Sequence, residues 1–343
     1  SNKDKYTITV PAEQDKTDKT LFIAEHTIEA QARGTVSVKL MDKAGNTTAK
    51  EDNYVIVADT GTPNLVPAYI FTDNQVREYK GNYYTKGETK VKFTITEANF
   101  DLSLKQAQDE TAAPAPVITV NDAAQQVTWT QIAGTDKWET EITLSENGDY
   151  TIGLDYTDRS GNPMASYTKK LHIDNVAPVF QITYDNNVAR NENNYKADRI
   201  ATVQITEHNF EPAEVKLTVT AKDITGAAVD ISAKAYEAYA KDPANWTQNG
   251  DVWTLKTAGM LFDVDAIYTV KLTYTDLAEN PATKTNEFVL DKTSSGNVTI
   301  AYSDSIVNKI LDLVTFGFYK GNVVITVTAK DQTAGVEYFE ITY

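Results

Sequence analysis

Hydrophobic and polar residues alternate with a period of two along most of this chain. Such alternation is typical of β-strands that bury one face and expose the other. Clusters of Gly, Asn, Asp and Pro separate the alternating stretches, as turns do. The clearest stretches are VKFTIT (91–96), YTIGLDYT (150–157), ATVQIT (201–206), VKLTVT (215–220), YTVKLTYT (268–275) and VVITVTA (323–329). Strands joined by turns, without helices between them, predict an all-β fold of antiparallel sandwiches.

One stretch departs from this pattern. Residues 231–243 are rich in Ala and Lys and end at Pro243, which predicts one short helix in a long connection between strands. The corresponding part of the preceding repeat, residues 106–120, is predicted to be an irregular loop.

Sequence landmarks recur in the same order and define an internal repeat. The motif TEANF (96–100) returns as TEHNF (206–210), 110 residues later. The strand and turn that end at Pro163 return 118 residues later, ending at Pro281, and a shorter relative ends at Asn46.

A further landmark is a strand that runs into a linker headed by Asp59, Asp174 or Asp291, at spacings of 115 and 117 residues. A period near 116 residues is close to the roughly 100 residues of an immunoglobulin-like sandwich. The predicted domains are a partial immunoglobulin-like domain at 1–62 (its C-terminal part), immunoglobulin-like domains at 63–177 and 178–293, and a partial domain at 294–343 (its N-terminal part).

The two partial segments are complementary. Segment 1–62 carries the late landmarks and segment 294–343 carries the early strands, and their 62 and 50 residues together approach one period. Unpaired strand edges invite pairing with another chain, so we expect head-to-tail self-association through the partial end domains. Because Ser1 and Asn2 resemble a cloning remnant and no signal peptide is visible, the chain is expected to be part of a longer protein.

Composition narrows the classes of partner. The net charge of −16 and pI near 4.7 argue against nucleic acid and anionic membranes as partners. The absence of Cys excludes disulfides, thiolate metal sites and Cys nucleophiles. No run of 18 apolar residues occurs, so no membrane insertion is predicted within this chain.

The residue pattern offers little for catalysis. The three His residues, His26, His172 and His208, are far apart in sequence, and none lies in a metal or nucleophile motif. We therefore predict that the protein is not an enzyme, with no catalytic and no cofactor-binding residues.

The motif DxxGN ends a strand at residues 42–46 and 158–162, and a variant lies at 276–280. Asp and Gly at these positions are typical of a turn. Because Glu279 replaces the Gly, the third turn is expected to differ in geometry. The alternative is a structural Ca²⁺ held by turn and linker carboxylates. Its candidate ligands are Asp42, Asp59, Asp158, Asp174, Asp276 and Asp291.

Recurring aromatic residues are interpreted as core, with an exposed Trp platform for a glycan as the alternative. Phe100 and Phe210 end the TExNF motif, and Trp129 matches Trp246 after 117 residues. Trp138 and Trp253 match less closely.

Within the TExNF motif, Asn99 and Asn209 are interpreted as setting the turn after the strand. The alternative is that these residues, together with Glu97 and Glu207, contact a sugar or a metal.

The combination of TExNF, YTDxxGN or YTDLAEN, and a strand ending in DNVAP or DTGTP resembles the tandem bacterial immunoglobulin-like repeats of large Firmicutes cell-surface proteins. The resemblance covers 63–293 and part of 1–62. It implies tandem sandwiches in an elongated array, extracellular display with attachment to the cell wall through the parent protein, and a stalk or adhesin role. Ser295 stands where Pro63 and Pro178 stand in the other linkers.

Three functional hypotheses follow. The first is a non-catalytic structural stalk or spacer of a bacterial cell-surface protein. The second is an adhesin that binds a host or bacterial surface glycan or protein through long loops near 101–116 and 223–246. The third is an accessory module of a secreted carbohydrate-active enzyme.

Overall fold

The computed structural model describes residues 7–29, 32–105, 115–191, 193–304 and 322–343. The chain forms two compact units, Ser1–Asp174 and Asn175–Tyr343. Among the described residues, each unit contains one sandwich and one separate long hairpin. The limits of the four predicted segments stay predictions.

The strands of the first unit are β1 (Glu13–Gln14), β2 (Phe22–Ile23), β3 (Ala32–Met41), β4 (Thr47–Ala58), β5 (Asn64–Phe71), β6 (Arg77–Tyr79), β7 (Asn82–Thr85), β8 (Thr89–Thr96), β9 (Val117–Val120), β10 (Ala123–Ala124), β11 (Thr130–Gln131), β12 (Lys137–Leu144), β13 (Gly148–Asp155) and β14 (Tyr167–Ile173). A helix, α1 (Phe100–Lys105), follows β8.

The strands of the second unit are β15 (Val179–Tyr184), β16 (Asn194–Tyr195), β17 (Arg199–Thr206), β18 (Lys216–Lys222), β19 (Trp246–Asn249), β20 (Val252–Leu255), β21 (Leu261–Phe262), β22 (Ala266–Thr275), β23 (Pro281–Leu290), β24 (Gly296–Asp304) and β25 (Val323–Lys330). The helix α2 (Tyr236–Lys241) lies between β18 and β19, and 3₁₀ turns occur at Pro212–Glu214, Ser232–Lys234, Pro243–Asn245 and Thr257–Gly259.

The sandwich of the first unit has two sheets, ordered β11-β12-β8-β5 and β10-β9-β13-β14-β7-β6. All pairings are antiparallel except β14 with β7. Alternate residues of β8 face the core, where Val91, Phe93 and Ile95 are fully buried. Burying one such side chain contributes about 1.5–3 kcal/mol. The period-two pattern therefore specifies which face of each strand lies inside.

The sandwich of the second unit follows the same plan. Its sheets are ordered β15-β17-β20-β19, with β21 also on β17, and β16-β23-β22-β18. The pairing of β16 with β23 is parallel, as that of β7 with β14 is in the first unit. The predicted class is confirmed: the chain is an all-β protein built from antiparallel immunoglobulin-like sandwiches.

The recurring aromatic residues form equivalent clusters in the two cores. The ring of Phe100 lies 5.2 Å from both Trp129 and Trp138 and 5.6 Å from Tyr156. In the second unit, the ring of Phe210 lies 4.8 Å from Trp246, 5.0 Å from Trp253 and 5.3 Å from Tyr274. The core interpretation of these residues is confirmed, since ring centroids at such distances pack favourably.

The helix predicted at 231–243 is confirmed as α2, which is preceded by a short 3₁₀ turn and a left-handed Ala235 (φ 48°). The irregular loop predicted at 106–120 is wrong in part, because Val117–Val120 forms β9 and pairs with β13. The helix α1, just before this loop, was not anticipated; residues 106–114 lie outside the described part of the chain.

The expectation that the third DxxGN turn differs in geometry is wrong. Glu279 has φ 70°, close to Gly45 (φ 90°) and Gly161 (φ 89°). Its N–H donates to the Asp276 carbonyl at 3.1 Å, as the N–H of Gly161 donates to the Asp158 carbonyl at 3.2 Å. The hydrogen bonds of the motif hold Glu279 in a left-handed conformation that a non-glycine residue adopts only at a cost.

Candidate metal centre

Three carboxylates from separate parts of the sequence meet in the first unit. Asp59 follows β4, Glu97 follows β8, and Asp158 begins the turn after β13. Their ligating oxygens lie within 4.8 Å of one another. Glu97 and Asp158 are buried, with 5% and 3% of their surfaces exposed, and Asp59 is half-buried. We call these three residues the carboxylate cluster.

The linker residue Asp59 is held by both recurring motifs of the sandwich. Asn99 of the TExNF motif donates from Nδ2 to the Asp59 Oδ2 at 2.7 Å. Asn162 of the DxxGN motif donates from Nδ2 to the Asp59 carbonyl oxygen at 3.2 Å. The Gly61 N–H donates to the Asp59 Oδ1 at 2.8 Å. The chain is therefore fixed where it enters the sandwich.

Asp158 closes its own turn, as the motif predicts. Its Oδ1 accepts from the Asn162 N–H at 2.9 Å and its Oδ2 accepts from the Asn162 Nδ2 at 2.8 Å. Asp276 makes the same two bonds to Asn280, both at 2.8 Å. The turn interpretation is confirmed for both motifs, and in the first unit the same Asp also belongs to the carboxylate cluster.

Glu97 is an acid whose pKa the site raises. Burial is the largest cause, and together with the nearby charges of Asp59 and Asp158 it raises the pKa to about 7, although the Asn99 N–H, which donates to Oε1 at 2.8 Å, acts in the opposite direction. The cause is plain: a low-dielectric site with three neighbouring carboxylates disfavours the third negative charge. A proton or a metal cation relieves this repulsion.

Oxygen ligands in this arrangement suit a hard cation. Ca²⁺ takes 6–8 oxygens from carboxylates, carbonyls and water in flexible geometry. The cluster supplies three carboxylates, two of which are already oriented by amide side chains. Mg²⁺ demands stricter octahedral geometry and retains its water, so Ca²⁺ is the better match.

A cavity of about 710 Å³ adjoins the cluster. Its floor includes Asp59, Asn99 and Asp158, and its apolar wall includes Val55 and Val57 of β4. Beside it, the β3–β4 hairpin is joined to α1 by a two-pronged ion pair. Arg33 Nη1 and Nη2 donate to Asp101 Oδ1 and Oδ2 at 2.8 and 2.9 Å, and this contact raises the pKa of Arg33.

The other candidate ligands do not belong to the carboxylate cluster of Asp59, Glu97 and Asp158. Asp42 is exposed and its Oδ2 accepts from Asn46 at 2.7 Å, a bond that lowers its pKa. Asp291 Oδ2 accepts from the Ala334 N–H at 3.1 Å. The Asp174 N–H donates to the Thr85 carbonyl at 2.9 Å, and Asp276 is buried in the second unit.

Sequence reasoning placed Asp59 and Asp158 among the candidate Ca²⁺ ligands, whereas it considered Glu97 for a sugar or metal contact only as the alternative interpretation of its motif. Glu97 does serve its turn, because it accepts from the Asn99 N–H. The sequence did contain a signal that Glu97 has a second role, because Glu recurs at the equivalent position as Glu207. Both residues are only 5% exposed. A buried carboxylate retained at both repeat positions is expensive unless something compensates its charge.

The His residues with a described partner each contact a carboxylate. His172 Nδ1 lies 2.6 Å from Asp149 Oδ1, and its ring stacks on Tyr84 at 4.4 Å. His208 Nδ1 lies 2.8 Å from Asp251 Oδ1 on an exposed surface. The prediction that the protein is not an enzyme stays a prediction.

No family model matches the chain, and no curated protein matches it. Among solved structures, the full ectodomain (Ig1–Ig3) of mouse nectin-like molecule 4 is 12% identical and aligns over 72% of this chain and 73% of that one, with a TM-score of 0.30. The Bacteroides ovatus mixed-linkage glucan utilization locus protein SGBP-B, in complex with a mixed-linkage heptasaccharide, is 14% identical over 85% and 62%, with a TM-score of 0.14. Because these identities and TM-scores are low, the assignment to the immunoglobulin-like class rests on the arrangement of the sheets in this chain.

The fold thus defines a chain of immunoglobulin-like β-sandwiches. Within its described residues, we find no helix with the length and hydropathy that a membrane crossing requires.

Proposed function

We propose that this chain is a non-catalytic structural spacer, displayed outside the cell as part of a bacterial surface protein of the Firmicutes type. The observation that carries the proposal is the fixed entry of the linker into the first sandwich. Asp59 is bonded by Asn99 and Asn162, and each of these amides belongs to a motif that recurs along the chain. A spacer needs such junctions, because a free linker would let consecutive domains reorient.

The strength of this junction follows from its bonds. A hydrogen bond between neutral groups contributes about 1 kcal/mol and one to a charged group about 2 kcal/mol. The bonds from Asn99 and Gly61 reach the Asp59 carboxylate, and the Arg33–Asp101 ion pair adds a second point of attachment. Pro63 follows the linker and further restricts its backbone.

Ca²⁺ is the proposed ligand of the carboxylate cluster. Its charge would remove the repulsion that raises the Glu97 pKa, and it would connect the linker residue Asp59 to two strands of the sandwich. The same ion would thereby stiffen the junction that the amide side chains already hold.

The test is a distance measurement between two spin labels in the first unit. The chain contains no native Cys, so Thr48→Cys on β4 and Ala123→Cys on β10 label it uniquely. Pulsed electron resonance should give a narrow distance distribution that Ca²⁺ narrows and a chelator broadens. Asn99→Ala should broaden the distribution. Gln131→Ala, which removes an amide that donates to the nearby Thr135 carbonyl, should not broaden it.

A broad distribution in the unsubstituted protein, with or without Ca²⁺, would contradict the spacer proposal. Saturable binding of a surface glycan or matrix protein by the full chain would favour the adhesin alternative instead.

A further inference from the structure

Two hairpins outside the sandwiches expose apolar side chains. In the second unit, β24 and β25 form a two-stranded sheet. Ile300 and Tyr302 are 56% and 53% exposed, and Val323 and Ile325 of the partner strand are 38% and 36% exposed. These four residues lie on one face, because Tyr302 is paired with Ile325 and residues two apart point the same way. Such an apolar face is costly in water.

The register identifies which strands of a sandwich this hairpin represents. In the first sandwich, β5 pairs with β8 so that Tyr69 lies opposite Val91. In the hairpin, Tyr302 lies opposite Ile325. Hence β24 and β25 correspond to β5 and β8, and Ile325 corresponds to the fully buried Val91. In the sandwich, β8 has a second neighbour, β12, whereas β25 pairs only with β24 in the described part of the chain.

A β12-like segment lies in the first unit. The DxxGN turns of Asp42 and Asp158 are equivalent, and this alignment places residues 21–28 (LFIAEHTI) on β12 (KWETEITL) without a gap. Phe22 and Ile28 then occupy the inward positions of Trp138 and Leu144.

The environments of these two segments differ. Leu144 is only 9% exposed, whereas Phe22 and Ile28 are 53% and 41% exposed. Among the described residues, the only strand formed by residues 21–28 is β2, which pairs with the two-residue β1. The segment therefore has apolar residues at the first and last inward positions of a β12 strand, with His26 at the position of Ile142, and among the described residues it has no β8-like neighbour to cover it.

We propose that β25 of one molecule pairs with residues 21–28 of a second copy of this chain, antiparallel and in the register of β8 with β12. Trp138 lies opposite Ile95 and Leu144 opposite Thr89 in the sandwich. The same register sets Phe22 opposite Ala329 and Ile28 opposite Val323.

A second copy is the occupant that fits, because each segment supplies the strand neighbour that the other does not have among the described residues. The hairpin β24–β25 corresponds to β5 and β8, while β3 and β4 follow residues 21–28 as β13 and β14 follow β12. Two copies thus assemble both sheets of one further sandwich from opposite parts of their chains. Pairing along an exposed edge is an established mode of strand addition. This inference does not depend on the spacer role or on Ca²⁺.

The test uses matched substitutions that the first sandwich itself suggests. Ile325→Lys places a charge at the inward position of Val91, whereas Thr326→Lys reproduces the outward Lys92 of β8. Likewise Phe22→Glu charges the inward position of Trp138, whereas Ile23→Glu reproduces Glu139 of β12.

Sedimentation velocity of the full chain should show a mass that rises with concentration. Ile325→Lys and Phe22→Glu should each remain at the monomer mass, while Thr326→Lys and Ile23→Glu associate like the unsubstituted protein. Near-ultraviolet circular dichroism should be unchanged in all four, because none of the substituted residues belongs to the two buried cores.

Mixing the two blocked variants gives the sharpest result. Phe22→Glu retains an intact β25 and Ile325→Lys retains an intact 21–28 segment, so the mixture should form a species of twice the monomer mass and nothing larger. A mixture that stays monomeric, or equal association of all four single variants, would overturn the proposal. An unsubstituted chain that stays monomeric at every concentration would also overturn the proposal. This holds even if its β25 amides are protected from hydrogen exchange, because β25 would then be paired within a single molecule.

Discussion

Glu97 allows the carboxylate cluster to be tested through the pH dependence of stability. Its side chain is 5% exposed, and burial together with Asp59 and Asp158 raises its pKa from 4.5 to about 7. Glu97→Gln keeps the size of the side chain and an oxygen that can accept from the Asn99 N–H, but it removes the ionisation. The substitution therefore isolates the charge from the packing.

The direction of the effect follows from proton binding. Between pH 4.5 and about 7 the folded protein retains a proton on Glu97 that the unfolded chain has released. The free energy of unfolding must then decrease as pH rises through this window. At about 1.4 kcal/mol per pH unit the full difference is about 3 kcal/mol. Partial access of water to half-buried Asp59 reduces this, and we expect about 1–2 kcal/mol.

The assay is urea unfolding followed by tryptophan fluorescence, in chelator, at several pH values across this window. Trp246→Phe and Trp253→Phe leave Trp129 and Trp138 to report the first sandwich. The free energy of unfolding of the protein that retains Glu97 should fall as pH rises, and that of Glu97→Gln should stay nearly level. Ca²⁺ at one hundred times its dissociation constant should raise the free energy of unfolding of the protein that retains Glu97 by about 2.7 kcal/mol. It should stabilise Glu97→Gln much less.

Glu141→Gln is the control, because Glu141 lies on the solvent side of β12, where it forms an ion pair with Lys90. Its pH profile should match that of the unsubstituted protein. If Glu97→Gln keeps the same pH slope as this control, the reasoning about the cluster is wrong. If Ca²⁺ stabilises Glu97→Gln as much as the parent, the ion binds elsewhere.

Two further predictions concern the turn and the core. Glu279→Gly should raise the free energy of unfolding of the second sandwich by about 0.5–1 kcal/mol, because φ 70° suits Gly better than Glu; a loss of stability in urea unfolding would contradict this. Phe100→Ala should destabilise the first sandwich by about 3–5 kcal/mol, since its ring is fully buried against Trp129 and Trp138. Phe210→Ala should have a smaller effect because Phe210 is only partly buried, and equal losses at the two positions would refute the packing argument.

The candidate site was predictable only in part. Asp158 and Asp59 stand out because each heads a recurring motif, but the motifs are explained as turns without any ligand. Glu97 was named only in the alternative interpretation of its motif, and its local role, accepting from the Asn99 N–H, is a sufficient reason for a Glu at that position. Sequence shows what a residue does for its own turn, whereas a contact between residues 59, 97 and 158 depends on how three strands are arranged.

The sequence by itself determined the class of fold, the repeat and the composition of the cores. Alternation with a period of two tells which side chains of β8 are inside, and recurrence marks Phe100 and Phe210 as core, because both properties are local to the chain. Only the tertiary structure decided the raised pKa of Glu97. The physical reason is that desolvation and charge repulsion are set by neighbours that are distant in sequence, whose positions follow from packing rather than from any local pattern.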